Sequence, residues 1–317
     1  MILALAGGVG GAKLAQGLAL ALPAAALTVV VNTADDFDLY GLRICPDLDT
    51  VLYTLAGIAD PVNGWGISGD TTHVLDAIAR YGREHWFRLG DGDFATHILR
   101  SERLRAGLLL TDVMAELAEK LGVATSILPM TDNPVATTIE TPAGRLDFQD
   151  YFVARRQTDT VTGVAFDGIE RAALPAGVAS AVGEAELIVL CPSNPIVSIG
   201  PILAVPGLRA ALEAATAPIV AVSPIVGGRA LKGPADRMLA SLGHDVSALG
   251  VARIYQDLLD GIVIDAVDRA LQPAIDALGM ATHVTATVMG DAASRRQLAE
   301  RVLNFGRDLA PVASGTR

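Results

Sequence analysis

The chain has 317 residues, 51% of them apolar and 4% aromatic, and a formal charge of −11 from 24 Lys and Arg against 35 Asp and Glu. That length and apolar content support a large buried core and exclude a disordered chain, while 32 glycines and 16 prolines suit a fold of many short strand-loop-helix units. The acidic balance, with no basic run longer than Arg155-Arg156 or Arg295-Arg296, argues against a nucleic-acid surface. An anionic ligand would have to be held by backbone N–H groups, helix N-termini, a few placed cations or a bridging metal.

Residues 1–6 form an apolar run ending in glycines, residues 12–22 a small-residue helix, and residues 27–31 a β-branched strand ending at Asn32. Strand, loop, helix, strand is a right-handed parallel crossover, which puts the loop after the first strand and the segment after the second at the carboxyl edge of a sheet. The start lacks the basic flank of a signal peptide, and the hydrophobic stretch 14–31 is interrupted by Gln16, Gly17, Pro23 and Thr28. The expectation is a cytoplasmic protein that does not enter a membrane.

The first loop, Gly7-Gly8-Val9-Gly10-Gly11-Ala12-Lys13, has Lys13 where a dinucleotide fingerprint has its third glycine, and Ala12 breaks the Gly-Lys-Ser/Thr ending of a P-loop. A glycine turn opening a helix still points free N–H groups at an anion. Gly8, Gly10, Gly11 and Lys13 therefore read as a phosphate cradle, with a ligand-free tight turn as the alternative. After the second strand comes Asn32-Thr33-Ala34-Asp35-Asp36, and Pro46-Asp47-Leu48-Asp49-Thr50 opens a helix with Leu48, Val51, Leu52 and Leu55 on one face. One carboxylate could serve a ribose or a cap. Asp35, Asp36, Asp47 and Asp49 together exceed either need and suit Mg²⁺, with a carboxylate to take a proton from an attacking hydroxyl.

Helices are expected over 72–81 and 112–121, and strands over 126–130, 136–141 and 145–153. Residues 43–159 thus read as a mainly helical and β-hairpin insertion into a core of 1–42 and 160–317. Within it, residues 86–97 read as one loop in which the aromatic-flanked Arg88 suits a planar or anionic group and His97 is a structural hydrogen-bonder. Strands at 187–190, 219–222, 262–264 and 284–288 alternate with helices near 208–215 and 235–242. The result is a six-strand, Rossmann-like α/β fold with a doubly wound, mostly parallel sheet. Ser193 and Asn194 follow a buried strand, where a hydroxyl and an amide can meet a nucleotide, and Arg229 and Lys232 on a glycine-bounded loop form a candidate phosphate clamp. Cys45 and Cys191 read as buried, inert thiols, and residues 314–317 as a frayed tail.

Together, Gly7-Gly8-Val9-Gly10-Gly11-Ala12-Lys13-Leu14, Asn32-Thr33-Ala34-Asp35-Asp36, Pro46-Asp47-Leu48-Asp49-Thr50-Val51-Leu52-Tyr53, Leu89-Gly90-Asp91, Ala95-Thr96-His97, Leu128-Pro129-Met130-Thr131-Asp132 and the run Pro192-Ser193-Asn194-Pro195-Ile196-Val197 resemble the 2-phospho-L-lactate transferase family over nearly the whole chain. The resemblance implies an enzyme of coenzyme F-420 biosynthesis. It would move a phospholactyl, phosphoenolpyruvyl or phosphoglyceryl group from a guanosine-diphospho-linked donor to the ribityl hydroxyl of the deazaflavin Fo, releasing GMP. It also implies Fo contacts at Asp49 and Arg88, with Asp91 and Thr96 of the neighbouring motifs beside them, and donor contacts along the glycine loop and at Ser193 and Asn194. Asp35 and Asp49 are then the expected catalytic carboxylates and, with Asp36 or Asp47, the Mg²⁺ ligands. Gly92 departs from the family's usual Leu-Gly-Asp-Arg-Asp. A homodimer is expected for an apolar α/β enzyme of this size. A sugar-nucleotide-binding regulator of the gluconeogenesis-factor type, which has a related core, is the alternative.

Overall fold

A computed structural model of the chain describes residues 1–309; the tail expected at 314–317 lies outside them. The central sheet has seven strands, β1 (Ile2–Ala6), β2 (Leu27–Val31), β3 (Ser126–Pro129), β4 (Leu187–Leu190), β5 (Ile219–Val222), β6 (Gly261–Asp265) and β7 (Ala281–Thr285). All neighbours are parallel, in the order β7-β6-β5-β4-β1-β2-β3. β1, β2, β4, β5 and β6 are buried throughout, because continuous apolar runs belong to strands covered on both faces. Along β1 the pleat sends Leu3 and Leu5 into one core and Ile2, Ala4 and Ala6 into the other. This is the doubly wound α/β sheet expected. Strand order reverses between β1 and β4, so their crossovers part in opposite directions and leave a crevice at the carboxyl ends.

Five helices matter for that crevice: α1 (Gly8–Ala21), α2 (Pro46–Leu55), α3 (His73–Arg80), α4 (Asp91–Arg105) and α5 (Leu110–Lys120). A further helix, Ala292–Leu309, which nothing in the reading above anticipates, packs against α1. Among the described residues no helix is long and apolar enough to cross a membrane.

Four expectations change. The sheet has seven strands rather than six, because β3 comes from within 43–159 and pairs with β2, so that segment does not lie wholly outside the sheet. Residues 86–97 are not one loop. Gly90 is an N-cap, Asp91 and Asp93 sit in the first turn of α4, where the positive end of the helix favours carboxylates, and Phe94, His97, Arg100 and Ser101 form its buried face. Within 145–153 only Gly144–Asp147 is a strand; it joins Ala136–Thr141 and Gly163–Asp167 in a three-stranded antiparallel sheet, and a π-type turn, Asp150–Ala154, follows. β7 ends at Thr285, short of 288, because the backbone N–H and hydroxyl of Thr287 turn instead to Asp265 Oδ2, at 2.8 and 2.9 Å.

Candidate active site

The crevice holds a cavity of about 840 Å³. Its wall is the glycine loop, and two glycines there are steric requirements. Gly8 has φ of +61°, and a Cβ on Gly10 would lie 2.2 Å from the carbonyl oxygen of Pro192. The loop after β1 thus rests directly on the turn after β4. Ser193 joins them: its Oγ accepts from the Gly7 N–H at 3.1 Å and donates to the Gly7 carbonyl at 2.8 Å. Gly10→Ala is expected to force the two loops apart and lower stability by roughly 1–3 kcal/mol in urea unfolding; an unchanged midpoint would contradict this close approach.

The four acidic residues divide into different settings. Asn32, fully buried, donates from Nδ2 to Asp35 Oδ2 and to Asp47 Oδ2, each at 3.0 Å, and so holds two carboxylates together beside the glycine loop. Burial, and then the charge of Asp47, holds the Asp35 carboxyl well above its ordinary range, and burial pushes Asp47 to about 6. Asp36 lies behind the lining, 3.8 Å from Arg43, and burial pushes it to about 7 against the pull of that guanidinium. Asp49 points away from Asp47, since residues two apart on a helix project about 200° apart. It is forked by Arg100, whose Nη1 lies 3.1 Å from Oδ2 while Nη2 binds Oδ1.

Among the described residues no group of three or more His, Cys, Asp or Glu side chains is placed to hold a metal ion. The expected four-carboxylate set therefore does not assemble. Asp49 is engaged by Arg100 and Asp36 faces Arg43, which leaves Asp35 and Asp47. These two do fit Mg²⁺, which commonly takes one or two carboxylates and completes its shell with phosphate and water. Asp35 Oδ1 is buried with no hydrogen-bond partner among the described residues, as a ligand oxygen awaiting a cation would be.

Arg100 is the functional residue the sequence reading missed. It is 0% exposed, and its Nη1 also lies 3.3 Å from Nδ1 of His97, one turn earlier on α4. The spacing Phe94, His97, Arg100, Leu104 carried the signal, a helical face with two polar residues on its apolar side. Burial, against the charge of Asp49, pushes His97 down to about 4. A depressed histidine pKa stabilises the fold above the unfolded value of 6.5, and that stability is lost as pH falls towards 4. Roughly 3 kcal/mol is involved, at 1.36 kcal/mol per pKa unit. Asp35, Asp36 and Asp47, whose pKa values are raised in the fold, gain stability on acidification over the same window, so His97 is read by difference: His97→Gln should gain stability in urea relative to the wild type as pH falls from 6.5 to 4.5, and a constant difference would contradict this.

The remaining expected residues also separate. Arg88 lines the cavity and is exposed. Lys13 lines it with Nζ 3.1 Å from the Met289 carbonyl; burial lowers its pKa, and Arg295 and Lys232 add to this. Lys232 reaches the carbonyls of Val62 (3.3 Å) and Asn63, bridging its loop to the segment beside Trp65. Ser193 and Asn194 line the cavity, but their polar groups serve the wall itself: Ser193 bonds Gly7, and Asn194 Oδ1 accepts from Ile196 N at 2.9 Å. Asp91, Thr96 and Arg229 lie outside the lining. Asp91 instead caps α3, accepting from Thr71 Oγ1 at 2.6 Å and Val74 N at 2.9 Å. Gly92 donates to Asp70 at 2.9 Å, and a Cβ there would lie 3.0 Å from Asp70 Oδ2. Trp65, Trp86 and Phe87, with Phe148 stacked on Phe152 at 5.3 Å, gather in the lining much of the chain's small aromatic content. Cys45 and Cys191 are free and buried, with burial raising both thiols, as expected of inert cysteines.

Residues 2–303 match the protein family described as 2-phospho-L-lactate transferase CofD. A phosphoenolpyruvate transferase of Streptomyces coelicolor is 41% identical over 314 residues, 97% of this chain and 98% of that protein. A 2-phospho-L-lactate transferase of Methanosarcina mazei is 43% identical over 297 residues, 94% of this chain and 97% of that protein. The crystal structure of a UPF0052 family protein from Bacillus halodurans matches with a TM-score of 0.66 at 16% identity, covering 95% of this chain and 98% of that one, a likeness of fold.

Proposed function

The chain belongs to the 2-phospho-L-lactate transferase CofD family, the transferases of coenzyme F-420 biosynthesis, and from that premise we propose that it moves a phospho-carboxylate from a guanosine-diphospho-linked donor to the ribityl hydroxyl of Fo, releasing GMP. The observation that carries this reading is the placing of the Asp35–Asp47 pair, the glycine loop, Arg88 and Asp49 around one aromatic-walled cavity. The donor diphosphate lies along the loop and Lys13, where helix α1 presents its N-terminus. The deazaflavin ring stacks among the tryptophans and phenylalanines, with Arg88 beside it. Asp35 and Asp47 would hold Mg²⁺, which supplies charge neutralisation at the diphosphate when bound.

The ribityl oxygen attacks the phosphorus that carries the carboxylate group, forming one P–O bond as the P–O bond to GMP breaks. Asp49, held in place by the Arg100 fork, accepts the hydrogen bond of that hydroxyl and then its proton. Relatives of nearly equal identity carry the phosphoenolpyruvate and phospholactate names, so overall identity does not choose the donor. Purified protein incubated with Fo, Mg²⁺ and each of the three donors in turn should yield GMP and an Fo phosphodiester by mass spectrometry. No GMP from any donor would defeat the proposal, and tight sugar-nucleotide binding in the same preparation would favour a regulator.

A further inference from the structure

His97 differs from its neighbours in the cavity lining. The residue is 2% exposed, its Nδ1 is occupied, and its Nε2 is buried with no hydrogen-bond partner among the described residues. The occupied side fixes the tautomer. A guanidinium has donors only, so Arg100 Nη1, 3.3 Å from Nδ1, requires a lone pair there and the ring proton resides on Nε2. Asp49 Oδ2, 3.6 Å from Nδ1, lies beyond hydrogen-bond range and already accepts from the same guanidinium. Buried donors left unpaired are costly and correspondingly rare, and a ligand that brings an acceptor removes the cost. Burial also keeps the ring neutral, so the donor carries no charge.

The geometry points to His97 Nε2–H as a donor to a hydroxyl oxygen of a neutral polyhydroxylated substrate, which under the function proposed above, on which this inference rests, is the ribityl chain of Fo. A phosphate or carboxylate is the wrong partner. The charges of Asp49 and Arg100 are spent on each other, the imidazole is neutral, and Asp93 in the same lining would repel an anion. A hydroxyl satisfies both neighbours at once, accepting from Nε2–H and donating to Asp49, and this orients its remaining lone pair. His97 neither gains nor loses a proton; it positions the acceptor oxygen.

Two substitutions separate this role from bracing Arg100. The amide nitrogen of Gln reaches near the Nε2 position, whereas the amide of Asn falls near Nδ1. Fo binding, followed by fluorescence, should weaken about 5–10-fold in His97→Asn and stay within about twofold of wild type in His97→Gln, as expected for one neutral hydrogen bond. Affinity for the deazaflavin chromophore without its ribityl chain should be unchanged in both. Equal losses in the two variants, the reverse ranking, or the same loss for the truncated chromophore would overturn the inference while leaving the proposed function standing. Failure of the wild type to bind Fo would instead overturn that function, and the inference with it. Independently of any variant's folding, ¹⁵N NMR of the wild type should show the Nε2–H tautomer of His97, and an Nδ1–H tautomer would refute the assignment.

Discussion

Asp35→Asn is expected to lower GMP release about 10²–10³-fold while raising the melting temperature of the protein measured in EDTA. Both effects follow from one feature, the two buried carboxylates tied to a single amide of Asn32. Without a cation the pair is a liability, because burial and the charge of Asp47 already hold Asp35 well above its ordinary range. The asparagine keeps an oxygen to accept from Asn32 and removes one negative charge, so the folded state should gain. Activity should fall because neutralisation of the diphosphate, worth several kcal/mol in such reactions, needs both carboxylates at 1.36 kcal/mol per tenfold in rate. Trading stability for a strained, charged site is the usual bargain at a catalytic centre. Mg²⁺ should raise the melting temperature of the wild type and leave that of the variant almost unmoved. A variant that turns over normally, or one that melts lower than wild type in EDTA, would remove Asp35 from this role.

The parts of this arrangement legible in the sequence are those set by short-range rules. β1, β2, β4 and β5 could be placed from their apolar runs alone, because strands covered on both faces must be apolar throughout and the flanking Gly, Asn and Pro end them. The handedness of the crossovers then brings the glycine loop, Asn32 and the Pro192 turn to one edge. Groups committed to distant partners were not legible. The hydroxyl of Ser193 is taken up by the backbone of a residue 186 positions away, so a side chain that reads as a nucleotide contact serves to hold the loop. Asp47 and Asp49 look like one cluster on the page, but α2 turns them to opposite sides, one toward Asn32 and the other toward α4. α4 itself was hidden because the glycines and acids that start a helix also suit a loop. With it went Arg100, since a lone arginine ordinarily reads as solvated surface.

Replacing that arginine should have the largest structural effect in the molecule. Arg100→Met is expected to cost about 3–5 kcal/mol in urea unfolding, the usual result of leaving a buried charge without its partner. Arg100 lies 51 residues from Asp49 and joins α4 to α2, with Nη1 also 3.4 Å from the carbonyl of Arg43, so the loss touches three segments at once. The same reasoning changes what Asp49→Asn should do. A carboxylate that served catalysis alone would give an inactive, normally folded variant; with Arg100 fully buried against Asp49, the variant should be inactive and also destabilised, because the guanidinium keeps its charge and loses its counter-ion. Combining the two substitutions provides the decisive comparison. If the pair is a matched buried unit, the double variant should unfold at a higher urea concentration than the sum of the single losses allows, since no orphaned charge remains. Strict additivity would mean that Arg100 and Asp49 act independently. The account of Asp49 as a carboxylate held in place by Arg100 for the incoming hydroxyl would then fail with it.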